Sequence, residues 1–385
     1  MYNFQFKNPT KILFGKGQIA NLPKELSKDQ KILLLYGGGS IKKNGVYTQV
    51  MQALSDYDIT EFGGIEANPR YETCLKAIEL IKQKKLTFIL AVGGGSVIDA
   101  TKFIAAGAEM SEDPWKIITE GLPVKKALPI GSVLTLSATG SEMNSFAVIT
   151  KEATQEKLSF GSAKVYPQFS ILDPETTFSL PKRQIANGIV DAFSHVMEQY
   201  MTYPVNAPLQ DRFAEGILLT LIEEGPKTLA NPEDYDSRAN MMWACTMALN
   251  GLIGVGVPQD WATHGIGHEL TALFEIDHAR TLAVVMPGLL THKSEQKKEK
   301  LLQYASRIWN LNEGNDEERI QNAIKRTVEF FESLEVKTKL ADYDVRPEAI
   351  SEIANRLDKR LGNVGLGEHR DIKKQDITKI LEHAL

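Results

Sequence analysis

KILLLYGGGS, at residues 31–40, is the stretch that decides the fold. Its first six residues form an apolar run with the length of a buried strand, and the glycines that follow end the strand. Helical spacing then runs from Val46 to Leu54. TFILAVGGGS at 87–96 repeats this order, with a helical pattern from 97 to 108. Two strand–turn–helix units in succession predict a mainly parallel, Rossmann-like sheet with helices on both faces.

The pattern changes near residue 180. Further strands are predicted before it, at 128–136, 146–150 and 169–173. After it every segment has helical spacing, and Pro226 and Pro287 are interpreted as helix breaks because proline removes a backbone donor. The sequence therefore predicts an α/β dinucleotide-binding domain at residues 1–180 and an all-helical domain at 181–385.

Small residues follow three of the predicted strands. They are Gly38, Gly39 and Ser40 in the first turn, Gly93, Gly94, Gly95 and Ser96 in the second, and Thr135, Thr139 and Ser141 in the loop TLSATGS. Backbone amides at such strand-to-helix turns can hold a phosphate, since no Cβ keeps the anion away. Neither glycine turn fits the GxGxxG dinucleotide fingerprint, so plain tight turns remain the alternative.

The first turn also bears on the choice of cofactor. Residues 36–43 read YGGGSIKK and contain no acid to accept ribose hydroxyls, whereas Lys42 and Lys43 would suit a 2′-phosphate. This favours NADP(H). The alternative is that the two lysines only solvate the first turn of a helix.

The helical half holds two groups of potential metal ligands. Asp191 and His195 are four residues apart, and so are His264 and His268, so each pair shares a helix face; His278 follows after a break. Each pair alone is also compatible with a salt bridge or with ordinary core histidines. Taken together, Asp191, His195, His264 and His278 offer one anionic and three neutral ligands to a divalent metal.

Composition excludes several classes of protein. A net charge of −5 and a pI near 5.9 argue against a nucleic acid partner. EQKKEK at 295–300 is interpreted as a solvated helix face. Cys74 and Cys245 lie outside any CxxC spacing, and no stretch reaches about 18 apolar residues. We therefore expect a cytoplasmic protein with reduced thiols and no membrane association.

Several motifs resemble those of the iron-containing (group III) alcohol dehydrogenase family, and most closely its NADPH-dependent aldehyde reductase and butanol dehydrogenase branch. The matching segments span the chain: FGKG at 14–17, YGGGSIKK at 36–43, VGGGSVIDATK at 92–102, LTLSATGSEMN at 134–144, NGIVDAFSHVMEQY at 187–200 and GVPQDWATHGIGHELTA at 256–272. One departure is Ser137, where proline is expected in relatives. The resemblance implies a dehydroquinate synthase-like architecture and a homodimer.

The resemblance also assigns roles to residues. It implies that Asp191, His195, His264 and His278 bind one catalytic metal, Fe²⁺ or Zn²⁺. It places the pyrophosphate at Gly93–Ser96 with Asp99 near the nicotinamide, the hydroxyls of Thr135, Thr139 and Ser141 in the same cleft, and the adenosine phosphate at Gly38–Ser40. Lys157, in what is expected to be a loop, matches a contact to the cofactor ribose.

The function expected from these features is reversible hydride transfer between NADP(H) and a small alcohol or aldehyde. His268, one turn beyond His264, is a candidate proton relay, with support of the metal site as the alternative, since a metal-bound histidine cannot act as a base. Competing hypotheses are a metal-dependent lyase of the dehydroquinate synthase type, a hydrolase whose metal activates water, and a non-catalytic nucleotide-binding protein.

Overall fold

The structure, a computed structural model, describes residues 1–385 and divides into two compact units. One unit comprises residues 7–181 and 232–246, and the other comprises 1–6, 182–231 and 247–385. The domain boundary predicted between residues 180 and 181 stays a prediction. Residues 1–6 precede this boundary but belong to the unit formed by 182–231 and 247–385. Residues 232–246 follow it but belong to the unit formed by 7–181.

The first unit is α/β. Its strands are β1 (Lys11–Phe14), β2 (Lys31–Tyr36), β3 (Asp58–Phe62), β4 (Phe88–Gly93), β5 (Ile130–Leu134), β6 (Phe146–Lys151), β7 (Glu156–Gly161) and β8 (Phe169–Leu172). Its helices are α1 (Leu22–Glu25), α2 (Ser40–Lys43), α3 (Val46–Ala53), α4 (Tyr71–Lys84), α5 (Gly95–Ala108) and α6 (Lys116–Thr119), to which most of α9 (Tyr235–Ala248) is added.

Six strands form one parallel sheet in the order β1-β8-β5-β4-β2-β3, which confirms the predicted fold class. Strand β2 shows why its apolar run is continuous. Leu33 and Leu35 belong to the core on one face of the sheet, whereas Ile32 and Leu34 belong to the core on the other. A strand that is covered on both faces cannot alternate apolar with polar residues.

Some strands differ from the prediction. The segment at 146–150 is a strand, but it pairs antiparallel with β7 in a separate two-stranded sheet and not with the parallel sheet. β7 was not predicted. It contains Lys157, which therefore lies on a strand and not in the expected loop. β1 was also missed, because its four residues at the edge of the sheet are only partly buried and show no long apolar run.

The second unit is helical. It contains α7 (Lys182–Tyr200), α8 (Pro208–Ala230), α10 (Ala262–Phe274), α11 (His278–His292), α12 (Lys298–Arg307), α13 (Asp316–Ser333), α14 (Ala349–Leu361) and α15 (Lys374–Glu382). Every residue of α7 from Ile185 to Tyr200 is buried. No helix in the structure is both long and apolar enough to cross a bilayer.

Two interpretations of this half were wrong. Pro226 and Pro287 lie inside α8 and α11 and do not break them. A proline costs a helix one backbone hydrogen bond, and packing offsets that loss, since α11 is buried along most of its length and α8 along one face. EQKKEK is not solvated throughout: Glu295, Gln296 and Glu299 are exposed, but Lys297 and Lys300 are buried. Their partners Asp260 and Asp211 are far away in sequence and leave no local pattern.

Candidate metal centre and cofactor turns

Helix α7 carries the first two candidate ligands. Asp191 and His195 stand one turn apart on the same face, and both are buried. The Nε2 atom of His195 lies 3.8 Å from Oδ1 of Asp191. This distance is longer than a hydrogen bond, so the two groups face a common point without being fully paired with each other.

Helices α10 and α11 contribute the other two candidate ligands, His264 and His278. One donor atom from each of Asp191, His195 and His264 lies within 4.8 Å of the other two. His278 begins α11, and its Nε2 lies 3.7 Å from Oδ1 of Asp191. The structure thus brings the four predicted ligands together. The side chain of His278 is 24% exposed, while those of Asp191 and His195 are about as buried as the core.

The chemistry of these groups fits a divalent metal. Nδ1 of His195 is buried without a hydrogen-bond partner, which is costly unless the ring has another reason to be there. Burial lowers the pKa of His195 to about 4, so the ring is neutral at pH 7 and able to donate a lone pair. A carboxylate beside neutral imidazoles is a typical ligand set for iron or zinc.

His268 lies beside this cluster and not in it. Its ring centroid is 5.2 Å from that of His278 and 6.3 Å from that of His264. The residue is half-buried, so it has access to solvent that His264 lacks. This position is compatible with both roles that were predicted for it.

The three small-residue turns lie together at one edge of the parallel sheet. They follow β2, β4 and β5, which are neighbours in the order β5-β4-β2. Because all three strands are parallel, their carboxyl ends share one edge, which is where open α/β sheets bind nucleotides. The backbone N–H of Thr135 donates to the carbonyl of Gly93 at 3.0 Å and joins two of the turns.

The two glycine turns differ in how much room they leave. A Cβ added to Gly38 or Gly39 would meet no atom within 4 Å, and Gly39 has a φ of 90°. A Cβ added to Gly95 would instead collide with the side chain of Thr139. The first turn is therefore open to a ligand, whereas the second needs glycine to pack against the loop after β5.

Asp99 and Ser141 are engaged within the unit. The carboxylate of Asp99 accepts hydrogen bonds from the Ser141 hydroxyl at 2.5 Å and from the Val148 amide at 2.9 Å. Ser141 in turn accepts from Lys102 Nζ, which also donates to Asn144 Oδ1. The structure places Asp99 at the predicted turns, but its oxygens hold the surrounding loop together.

Comparison with known proteins places the chain in a family. Residues 9–174 match the model for "Iron-containing alcohol dehydrogenase", and residues 185–385 match that for the C-terminal part of the "Fe-containing alcohol dehydrogenase family". The chain is 56% identical over the full length of both chains to the NADPH-dependent aldehyde reductase YqhD of Escherichia coli K12. The chain belongs to the iron-containing alcohol dehydrogenase family. It is an alcohol dehydrogenase or aldehyde reductase by class.

Other members of the iron-containing alcohol dehydrogenase family are similar along the whole chain. NADH-dependent butanol dehydrogenase A of Clostridium acetobutylicum is 38% identical, over 99% of each chain. The solved structure of NADH-dependent butanol dehydrogenase A from Thermotoga maritima superposes with a TM-score of 0.95 at 38% identity, over 100% of this chain and 99% of that one. The names of these relatives include both NADH and NADPH.

One residue that the sequence reading missed is Glu61, at the end of β3. In this iron-containing alcohol dehydrogenase it accepts hydrogen bonds from Lys42 Nζ at 3.0 Å, Tyr47 at 2.6 Å and Tyr36 at 3.1 Å. Hydrogen bonding with Tyr36 and with Glu61 raises the pKa of Lys42. Lys42 is thus paired with an acid. A search for acids at the ends of neighbouring strands, beyond residues 36–43, would have found Glu61.

Lys157 also has a partner within its own unit. Its Nζ donates to Asn68 Oδ1 at 3.0 Å, and the side chain is buried although β7 lies outside the parallel sheet. The contact to the cofactor ribose that the resemblance implies stays a prediction.

Proposed function

We propose that this protein transfers a hydride reversibly between NADP(H) and a small primary alcohol or aldehyde, with one divalent metal. The observation that carries the proposal is the buried cluster of Asp191, His195 and His264, whose donor atoms lie within 4.8 Å of one another beside His278. No structural role requires a carboxylate and several imidazoles to converge away from water.

The four ligands would hold Fe²⁺ or Zn²⁺, since both accept nitrogen and oxygen donors. When bound, the metal supplies Lewis acidity that polarises a carbonyl or lowers the pKa of an alcohol, and the nicotinamide supplies or accepts the hydride. The chain contributes orientation and exclusion of water and needs no nucleophile. Burial keeps His195 neutral, so it need not lose a proton before it binds a metal at pH 7.

We propose His268 as the residue that exchanges the alcohol proton with solvent. It is half-buried, whereas His264 is buried, and its ring lies 5.2 Å from that of His278. Replacement by alanine should slow turnover and shift its pH profile. An unchanged rate and pH profile would leave support of the site as its only role.

The cofactor would extend along the edge formed by the three turns. Its pyrophosphate is assigned to Gly93–Ser96, with Asp99, Thr135, Thr139 and Ser141 beside it, and its 2′-phosphate to Gly38–Ser40, where a Cβ would meet open space. Lys157 is assigned to the ribose. Lys42 would favour NADP(H) over NAD(H), because the 2′-phosphate can compete with Glu61 for the ammonium group of Lys42.

Matched lysine variants test this cofactor preference. Lys42→Met should lower kcat/KM for NADPH and leave that for NADH nearly unchanged. Lys43→Met removes the same charge from the next residue and serves as the control. Equal losses in both variants, or equal effects on NADH and NADPH, would refute a specific role for Lys42.

The decisive experiment for the whole proposal is metal reconstitution. Protein stripped with a chelator and reloaded with Fe²⁺ or Zn²⁺ should regain aldehyde-dependent oxidation of NADPH, and Asp191→Ala should not regain it with either metal. Full activity in Asp191→Ala would refute the metal mechanism. A lyase of the dehydroquinate synthase type would consume no NADPH, and the family assignment does not favour it.

We also propose a homodimer. β1 lies at the edge of the parallel sheet and leaves one side of its backbone without a strand partner, and Phe14 at its end is 39% exposed. Sedimentation velocity should give about twice the chain mass of 42.8 kDa. The cytoplasmic location and the lack of a nucleic acid partner stay predictions from composition.

A further inference from the structure

A third polar group shares the face of α7 that carries two of the candidate ligands. Glu198 follows His195 by three residues and Asp191 by seven, so the three side chains line one stripe of the helix. Glu198 is 3% exposed. A buried carboxylate is costly unless strong hydrogen bonds compensate for its lost hydration, so its partners indicate what it does.

Both hydrogen bonds of Glu198 Oε1 go to His264. The backbone N–H of His264 donates to it at 2.9 Å, and the ring nitrogen Nδ1 lies 2.9 Å from the same oxygen. A backbone amide can only donate, so Oε1 acts as an acceptor. An Nδ1 atom at hydrogen-bond distance from an acceptor carries the proton itself. In its neutral form the His264 ring then keeps its lone pair on Nε2, the atom that a metal can take.

The start of α10 is fixed to the same helix by a second contact. The backbone N–H of Asp260 donates to the carbonyl of Glu198 at 2.9 Å, and Asp260 Oδ1 accepts from the Ala262 amide at 2.9 Å. Between them Trp261 has a φ of 64°, a strained value for a large side chain. Such strain persists only where the surroundings hold the backbone firmly.

Lys297 supplies that firm hold. Its Nζ lies 2.8 Å from Asp260 Oδ2 and 2.6 Å from Glu368 Oε1, and it donates to the Met201 carbonyl at 2.8 Å. All of these groups are buried in the helical unit. The turn before His264 is thus held from one side by α7 and from the other by Lys297.

We propose that Glu198 is a positioning residue that fixes the orientation and the tautomer of His264, with the Asp260–Lys297–Glu368 cluster holding the turn that carries the ring. The proposal rests on the metal site proposed above, because its consequence is that Nε2 of His264 is presented to the metal. A carboxylate behind a ligand histidine is a general device for this purpose, and its loss typically weakens metal binding about 10- to 100-fold.

The first test uses protein without metal. Histidine labelled with ¹⁵N should show the Nδ1–H tautomer at His264 in the wild type. Glu198→Ala should give a mixture of tautomers, whereas Glu198→Gln, whose amide oxygen can still accept, should largely keep the wild-type form. A single, unchanged tautomer in Glu198→Ala overturns the proposal whether or not the site binds a metal.

The second test measures Zn²⁺ affinity by competition with a chelator. We expect about 10- to 100-fold weaker binding in Glu198→Ala and a smaller loss in Glu198→Gln. Glu215→Ala is the matched control, because Glu215 is equally buried in the same unit but bonds to Tyr200 and Arg307. Equal affinity loss in the control, or none in Glu198→Ala, overturns the positioning role.

The two tests separate this proposal from the proposed function. A wild type that binds no Zn²⁺ refutes the metal site, while the tautomer measurement still decides what Glu198 does to His264. If Glu198→Ala does not fold, as judged by circular dichroism, Glu198→Gln and Glu198→Asp decide: Glu198→Asp pulls the carboxylate back by one methylene and should weaken Zn²⁺ binding more than Glu198→Gln does. The reverse order overturns the proposal.

Discussion

Lys102 in the α/β unit and Lys297 in the helical unit are the two lysines with fully buried side chains, and they differ in the groups that contact them. Lys102 in the α/β unit is bonded to the Ser141 hydroxyl, the Asn144 side-chain oxygen and the Phe146 carbonyl, all of them neutral. Lys297 in the helical unit is bonded to two carboxylates and one carbonyl.

The effect on the charge of each lysine is opposite. Burial lowers the pKa of Lys102 to about 8, and Asp99 and Glu142, which are not bonded to it, offset this only in part. Burial would also lower the pKa of Lys297, but the carboxylates of Asp260 and Glu368 outweigh it and raise the pKa above its ordinary value. Direct carboxylate partners, and not burial alone, decide whether a buried lysine holds its proton.

The largest expected effect is that of Lys297→Met. It leaves Asp260 and Glu368 buried beside each other without a cation, which should cost about 3–5 kcal/mol of unfolding free energy. Urea unfolding followed by circular dichroism measures the loss. The triple variant D260N/K297M/E368Q removes the carboxylates as well and should recover most of it. A loss below about 1 kcal/mol in the single variant would show that the cluster is not tightly coupled.

Lys102→Met should cost less, about 1–3 kcal/mol, because the three acceptors that lose their hydrogen bond are neutral. Its functional effect should differ in kind. The loop that contains Ser141 and Asn144 loses its anchor, so NADPH affinity should fall while Zn²⁺ affinity stays near the wild-type value. Lys297→Met should show the reverse. If each variant weakened the binding of NADPH and of Zn²⁺ equally, the two lysines would not have separate functional roles.

The pH dependence of stability should have opposite signs. The folded pKa of Lys102 is about 8 against 10.5 in the unfolded chain, so between these values the unfolded state holds more protons and stability rises with pH. For Lys297 the folded pKa is raised above 10.5, so its contribution is complete below 10.5 and is lost as pH rises through the folded value.

Differences in unfolding free energy between the wild type and each variant measure these slopes. Between pH 8 and pH 10 the advantage of the wild type over Lys102→Met should grow, at up to about 1.4 kcal/mol per pH unit. Its advantage over Lys297→Met should stay constant in that range. Parallel curves for the two variants would contradict the difference.

The smallest expected effect is that of Ser141→Ala, about 1 kcal/mol, because it removes only the hydroxyl that connects Lys102 to Asp99. Ser132→Ala is its control, since Ser132 bonds to Ser170 in the parallel sheet of the same unit. Both variants should lose similar stability, but only Ser141→Ala should alter the rise of stability above pH 8. An unaltered rise would mean that Ser141 does not influence Lys102.

The sequence predicted those features that depend on local patterns. Continuous apolar runs before the glycine turns reveal β2 and β4, and spacing by four places Asp191 and His195 on one helix face. Strand β6 was predicted, but its antiparallel partner β7 was missed because that partly exposed strand has no such run.

The remaining features depend on contacts between residues distant in sequence. Glu198 carries a local signal, three residues beyond His195, but its partner His264 lies 66 residues away. Lys297 meets Asp260 and Glu368 from separate segments, so its run of charges resembles a solvated helix. The family resemblance predicted the four ligands, whereas the roles of Glu198 and Lys297 could be identified only from the folded structure.

Helix α7 also limits how this protein can be altered. Asp191, His195 and Glu198 depend on one rotational phase, and every residue from Ile185 to Tyr200 is buried. Inserting a single residue among them would turn those beyond it by about 100° and point them away from the site. Insertions and deletions should therefore be excluded from α7, whereas the open turn has room for a side chain at Gly38, though not at Gly39, whose φ of 90° favours glycine. Any redesign of this enzyme has a natural starting point there, at the cofactor end.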